Sequence, residues 1–565
     1  MRGLFLSLLL AVLFQMAGAT VTPRPESLVP LARARLYEAA ASPVLPLDYV
    51  NRRVNSDNTT QVQNEEMACI SPLDSQNFVA AWRDFRLGYR RIGVGYTTDG
   101  GQVWHDTLLP QMFYPWQSDP VMVVNHEGVF TTMIVTFDPA PGGEDGLLQV
   151  SSNDGGVTWH DSVFAADSVQ PLGFEDKEML AVDADPTSPY LGTYYTAWAH
   201  FYGPNPYDST HIWLVYKRPG EPYSTPRVLS QTSGNQWANV CTGPDGEVYV
   251  SWLSYALSGL MFSRSTDGGQ TFADQQFVTS TNFVAAEIAP RNMTPEFDIF
   301  AYGAMAVDLS NGPHRGRLYM VFTDADAAFT RTDIYSMYSD DHGANWSPRR
   351  RLNDDNTAFP VDHLHPWISV DEEGRAWVVF YDRRNDPNNI LMDVYFTLST
   401  DGGATWRANE RLSTISSNPA AGSSLDAGLI GEYIGWQARH GKALCTWTDT
   451  RLGNQDVFAT YIDTIQFPTA VSGHSSFILP PSSFNSFPNP TNGSAMLRYV
   501  LDSPQDVRIR LYNVLGQIAA EVNLGRLAAG EHTYALDLNR YASGLYFAEL
   551  TSQTHHTFTK VMLLK

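Results

Sequence analysis

Short apolar runs separated by polar turns fill most of this chain. Phe78-Val79-Ala80-Ala81-Trp82, Tyr194-Tyr195-Thr196-Ala197-Trp198, Val248-Tyr249-Val250-Ser251-Trp252, Leu318-Tyr319-Met320-Val321-Phe322 and Ala376-Trp377-Val378-Val379-Phe380 each end on an aromatic residue. Runs this short, with β-branched and aromatic residues, predict buried strands. One turn phrase recurs five times among them. It reads Thr97-Thr98-Asp99-Gly100-Gly101-Gln102-Val103-Trp104 first, and returns at Ser152–Trp159, Ser265–Phe272, Ser339–Trp346 and Ser399–Trp406. The common form is Ser/Thr-x-Asp-x-Gly-x-x-Trp/Phe. Glycine tolerates positive φ and aspartate bonds nearby backbone amides, so Asp99, Asp154, Asp267, Asp341 and Asp401 are expected to build tight hairpin turns. The following aromatic plugs the turn against its sheet.

The phrase resembles the Asp-box of sialidases and related propellers. Repeats of roughly fifty to sixty residues suit four-stranded blades, so the fold class is an all-β propeller. Blade one starts at Asn64, blade two near Asp119 and blade three near Glu175, its box decayed to Arg218-Pro219-Gly220. Blades four, five and six hold the later apolar runs. A seventh unit, Gly431 to Ile462, has no box and is one strand short. Arg53-Val54-Asn55-Ser56-Asp57-Asn58-Thr59 echoes Arg351-Leu352-Asn353-Asp354-Asp355-Asn356-Thr357, which follows the box of blade five. The segment Tyr49 to Asn55 is therefore expected to supply the missing outer strand and leave no open edge. Seven blades are favoured; six, as in sialidases, is the alternative.

Composition shifts after Ile465. Residues 20–465 read as the propeller and the Ser/Pro-rich stretch 466–486 as a linker. Residues 487–565 then carry Phe487-Pro488-Asn489-Pro490, the alternating strand Val507-Arg508-Ile509-Arg510-Leu511-Tyr512, Tyr541-Ala542-Ser543-Gly544-Leu545-Tyr546-Phe547 and Lys560-Val561-Met562-Leu563-Leu564-Lys565. That series is similar to the C-terminal sorting domain of type IX secretion. The resemblance implies a small β-sandwich, the secretion machinery as partner, and a secreted or surface location. At the other end Arg2, the apolar run Leu4–Met16 and Ala17-Gly18-Ala19 form a secretory signal peptide, residues 1–19. No later stretch is apolar and long enough to span a membrane.

Net charge is −23, which argues against nucleic-acid binding. Cys69, Cys241 and Cys445 sit inside apolar strands and read as buried thiols; a Cys69–Cys445 bridge is open if the first and last blades adjoin. No cofactor motif is found. Asn55-Ser56-Asp57-Asn58 and Asn353-Asp354-Asp355-Asn356 offer oxygen ligands suited to Ca²⁺ but lack EF-hand spacing.

Propeller ligands usually bind on the face where inner strands begin. Three second strands end alike there: Asp84-Phe85-Arg86, Asp382-Arg383-Arg384 and Asp449-Thr450-Arg451. Together Arg86, Arg383 and Arg451 would bind a carboxylate or sulfate. The same phrase also suits an ion pair within each blade, repeated because the blade is repeated. Segments entering inner strands add Glu65-Glu66, Asp119, Glu175-Asp176-Lys177-Glu178, Asp362-His363-Leu364-His365 and Gly431-Glu432-Tyr433.

The sialidase resemblance implies an arginine triad, a Tyr–Glu nucleophile pair and an Asp acid/base. Arg86 matches the second arginine of that triad, and Tyr433 with Glu432 is the candidate pair. The Arg-Ile-Pro phrase of sialidases is missing, for the first inner strand reads Glu66-Met67-Ala68-Cys69-Ile70. The loop Leu87-Gly88-Tyr89-Arg90-Arg91 has no carboxylate to serve as acid/base. Two expectations follow. One is an exported propeller that binds extracellular glycans or other surface ligands. The other is a glycoside hydrolase, exo-α-sialidase-like or built on carboxylates such as Glu432 and Glu178.

Overall fold

A computed structural model describes residues 49–565 apart from 141–142, 168–172, 203–208, 283–300, 357–360, 420, 422–429, 464–484, 488–490, 492, 502, 515–516 and 553–555. The signal peptide and most of the linker lie outside the described residues. The chain divides into two units, Met1–Ala470 and Val471–Lys565.

The first unit holds seven four-stranded sheets among the described residues. Their inner strands are Gln63–Ile70, Trp116–Val124, Phe174–Val182, Asn235–Thr242, Ala304–Val307, His363–Val370 and Gly435–Arg439. Six sheets run outward in sequence order, each strand antiparallel to the last. Each inner strand packs on the next, and Gly435–Arg439 packs back on Gln63–Ile70. This is the closed arrangement of a propeller.

The seventh sheet obtains its fourth strand from the start of the chain, as the sequence echo predicts. Arg52 pairs with Ala459 and Arg53 with Phe458. The echo has a shared chemistry. Arg351 reaches Asp333 at 2.7 Å, and Asn353 donates to the same carboxylate at 2.9 Å. Arg53 and Asn55 repeat this on Asp456 at 2.6 and 2.9 Å. Each outer strand is pinned to the third strand of its sheet by an Arg-x-Asn phrase.

Second strands form the packed middle layer. Trp82, Trp198, Trp252, Trp377 and Trp447 are fully buried. Their indole N–H groups find acceptors, as buried donors must: Trp82 donates to Asp84, Trp447 to Asp449 and Trp377 to Asp371, at 2.8 to 2.9 Å. All five Asp-boxes lie between third and fourth strands. In each, one Asp oxygen accepts from the Ser or Thr two residues earlier and from the amide four residues later; for Asp99 these are Thr97 at 2.7 Å and Val103 at 3.0 Å. The box aspartates are turn builders. Cys69, Cys241 and Cys445 are free thiols, so the possible Cys69–Cys445 bridge is not formed.

The second unit holds two sheets over one apolar core that includes Leu497, Ile509, Leu511, Ala548 and Val561. Its first strand, Asn485–Phe487, starts inside the stretch expected to be linker.

Starting the chain at Ser56 removes the closing strand and bares the edge of Asp456–Asp463. Scanning calorimetry should show a melting temperature lower by at least about 3 °C than for a chain starting at Tyr49. Equal melting temperatures would mean that the strand does not stabilise the ring.

Candidate functional site

The site arises from a break in strand regularity. In five inner strands the pairing slips by one residue, between Asn64 and Met67, Ser118 and Val121, Asp176 and Met179, Gln236 and Asn239, and Leu364 and Trp367. Within each slip one residue adopts left-handed backbone. These are Glu65, Asp119, Lys177, Trp237 and His365, with φ of 57, 52, 52, 62 and 50°. Such backbone costs of order 1–3 kcal/mol at a non-glycine residue and persists only where its surroundings enforce it. Bulges of this kind re-aim side chains beside functional sites. The other two sheets place Tyr302 and Tyr433 at the matching position. Each stands two residues before a paired residue (Ala304 with Val321, Gly435 with Thr446), as Glu65 stands before Met67.

Contacts tie these residues together. Lys177 Nζ lies 3.4 Å from Asp119 and 3.6 Å from Glu65, and it pairs with Glu432. The same ammonium stands 5.5 Å from the Trp237 ring and 6.0 Å from the Tyr433 ring, within cation–π range. Tyr302 stacks on Trp237 at 5.9 Å and on His365 at 6.3 Å. One side is therefore charged (Glu65, Asp119, Lys177) and the other aromatic (Trp237, Tyr302, His365, Tyr433). A cavity of about 10 Å³, room for one water, lies beside Lys177, lined also by Met179, Trp237, Ala238, Asn239, Tyr302, Glu432 and Tyr433. Gly431 lets the last sheet approach closely. A Cβ there would stand 2.9 Å from the Glu65 backbone nitrogen, and its φ of 88° also favours glycine.

Burial sets the protonation states. It pushes the Glu65 carboxyl up to about 8 against the pull of Arg83 and Lys177. Burial opposes ionisation of Asp119 too, but Lys177 and a hydrogen bond from Glu65 hold it below the usual range. The two neighbouring carboxyls are thus pushed in opposite directions, Glu65 up and Asp119 down. Glu66, buried and accepting from Thr448 at 2.8 Å, is also pushed up to about 8. Burial, with Lys177 and Arg383 near, drops His365 to about 3 and keeps it neutral. Lys177 stays charged: burial disfavours the ammonium, and the carboxylates of Asp119, Glu65 and Asp176 outweigh it.

The arginines expected to form a triad are each held by groups of the protein. Arg86 is held by Asp84 at 2.7 Å and by Asp106 on its own outer strand at 2.8 Å. Arg451 is held by Asp449 at 2.7 Å, with Asn51 beside the closing strand at 3.0 Å. In the sixth sheet Arg384, not Arg383, is the counterpart, 2.7 Å from Asp382. Arg383 is buried and donates to the Asn389 carbonyl at 3.0 Å. Asp84 and Asp449 each accept from a tryptophan as well, so the phrase is an internal staple. Glu432 and Tyr433 also diverge from the expected pairing. Glu432 reaches Lys177, while the Tyr433 hydroxyl donates to the Pro120 carbonyl at 3.3 Å, and burial keeps it a neutral phenol.

Sequence reasoning had placed Glu65, Asp119, Lys177, His365 and Tyr433 on this face but missed Trp237 and Tyr302. Of the loops offered for Ca²⁺, Asp355 packs with Asp333 and His363, their donor atoms within 4.8 Å of one another. Arg331 and Arg351 already engage Asp333, and Arg351 and His363 engage Asp355. A divalent ion there would compete with the protein's own cations.

Two stability experiments test this electrostatic account. Lys177→Met strands buried carboxylates and should cost about 3–5 kcal/mol in denaturant unfolding, part of it recovered by adding Glu432→Gln. Glu66 has a raised folded pKa, so its contribution is complete below about 4.5 and is lost as pH rises through about 8. Glu66→Gln should therefore match the parent near pH 4.5 and melt higher at pH 8. A constant difference across that range contradicts the assignment.

Comparison with known proteins locates the two units. Residues 485–564 match the secretion system C-terminal sorting domain. Over 242 residues the chain is 29% identical to a sialidase of Micromonospora viridifaciens, covering 41% of this chain and 29% of that relative. The chain thus spans less than a third of that curated relative's length. It is similar to an α-L-arabinanase of Penicillium chrysogenum complexed with arabinobiose, at 10% identity over 75% of this chain and 99% of that one, TM-score 0.39. It is also similar to a Hadza microbial sialidase, at 14% identity over 69% of this chain and 74% of that one, TM-score 0.39. The C-terminal domain marks the chain for export by type IX secretion, to the cell surface or beyond, and the larger unit is an all-β, sialidase-like propeller.

Proposed function

We propose that the exported propeller binds an extracellular saccharide on the face where its inner-strand bulges meet. One observation carries the reading: each sheet contributes one residue at the same register, five of them in strained backbone, charged in the first three sheets and aromatic in the rest. Ligand sites are mostly apolar concavities with a few fixed polar groups. A sugar ring suits this division, since its faces carry C–H groups and its rim carries hydroxyls. The partial likeness to a sialidase supports a saccharide without naming one.

A second reading, hydrolysis, is favoured by the Glu65–Asp119 pair. A carboxyl kept protonated beside an ionised one is the arrangement of a glycosidase acid and its partner. Glu65 would hold the proton and Asp119 the charge.

A glycan array with the purified chain tests the first reading. Wild type should retain at least one saccharide, and Trp237→Ala should weaken that binding about tenfold or more, because it removes one of the aromatic rings. Retention unaffected by Trp237→Ala places the ligand elsewhere. Fluorogenic glycosides test the second. Turnover should fall as pH rises through about 8, where Glu65 loses its proton, and should be lost in Glu65→Gln. No release from any glycoside, with binding intact, leaves a binding protein.

A further inference from the structure

We infer that the face on which the inner strands begin docks on a lipid surface through apolar residues at its loop tips. This does not depend on what the inner ends of the strands bind.

Second and fourth strands end on this one face, because neighbouring strands of each sheet are antiparallel. The loops that leave them carry apolar residues into solvent. Leu391, Ile415, Leu452, Leu87 and Phe113 are 37, 50, 59, 51 and 63% exposed. They stand on five successive loops, from the sixth sheet across the seam to the second, and hydrogen bonds link each loop to the next. Met392 pairs with Ser417. Arg451 donates to the Thr414 hydroxyl at 3.1 Å, and the Asn418 amide donates to Thr450 at 2.7 Å. Gln61-Val62 bridges the next two turns, its carbonyls accepting from the Asn454 side chain and the Phe85 amide. The Gln117 amide then donates to the Arg90 carbonyl. The apolar tips therefore form one arc.

The Asp-x-Arg staples hold that arc in place. Leu87 and Leu452 each follow a stapled arginine and precede a glycine, Gly88 or Gly453, with φ of 82 and 88°. The glycine amides donate back to Phe85 and Thr450 at 2.7 and 2.9 Å, so both turns are the same closed loop with leucine at its tip. Stapling also cancels the charge behind the tips, since Arg86, Arg384 and Arg451 are paired with Asp84, Asp382 and Asp449. The arc is apolar and locally neutral. On the opposite face Val103 and Val157 are exposed too, but each has its amide bonded to a box carboxylate, Asp99 or Asp154.

Two observations favour lipid over a folded partner. Five half-exposed side chains offer less than the roughly 800 Å² per partner of a stable protein interface, and a fluid apolar layer takes up separate loop tips one by one. The sorting domain sends the chain to the cell surface or beyond, where such a layer lies.

Flotation of the chain without its signal peptide on neutral phosphatidylcholine vesicles tests this. The chain should partition onto them with little change between low and high salt, and less onto anionic phosphatidylglycerol, because its net charge is −23. Leu87→Ser combined with Leu452→Ser should lower the partition coefficient about tenfold or more at unchanged melting temperature. Leu73→Ser, at an exposed leucine of the opposite face, should leave it unchanged. Absence of partition at any lipid concentration, an equal loss in Leu73→Ser, or a preference for anionic vesicles that salt abolishes overturns the inference. So does a dimer in sedimentation that the double variant dissolves, which would make a second copy of the chain the occupant.

Discussion

Closure of the ring is the constraint on which the site depends. A row of sheets left open would expose strand edges at both ends. Here the first and last sheets meet, and Arg52–Arg53 completes the last one. The seam is rich in paired groups: the Gln63 amide donates to the Gln455 carbonyl, Asn64 to the Gln455 side chain, and Thr448 to Glu66. The charged cluster around Lys177 spans the same seam. Glu65 comes from the first sheet and Glu432 and Tyr433 precede the last inner strand, with Gly431 close against the Glu65 backbone. A ring that did not close would lose Glu432, one of the partners of Lys177, and the Tyr433 ring together.

Five of the twelve left-handed non-glycine residues among the described residues meet at the charged cluster around Lys177. Left-handed backbone at five non-glycine residues is a standing cost. It is tolerated because the side chains so aimed are locked by ion pairs and ring contacts around Lys177. In the outer parts of the sheets, Asp-box turns and Trp-x-Asp-x-Arg staples pair their charged groups locally. The inner ends of the strands carry the bulges, and the periphery carries the turns and staples.

The scaffold was legible in the sequence and the site only partly so. The box turns depend on Asp and Gly at fixed offsets, and the closing strand repeats the phrase Arg-x-Asn seen after blade five; both signals are local. The Asp-x-Arg phrases misled because an arginine facing a ligand and one stapled to its own strand look alike in one dimension. The bulges left no signal. Glu65, Asp119, Lys177, Trp237 and His365 share no residue type, and only Asp119 and His365 are of types enriched at positive φ. Trp237, in Asn235-Gln236-Trp237-Ala238, reads as ordinary core, and nothing near Tyr302 sets it apart from other strand tyrosines.

The central claim is that ligand binds where the inner bulges meet. Amide hydrogen exchange with a bound saccharide tests it most directly. Added protection should fall on residues 63–67, 117–121, 175–179, 235–239 and 431–435, on one side of the ring. Protection confined to the Asp-box turns, or to the outer strands that carry Asp106 and Arg53, would contradict the account and move the site to the periphery.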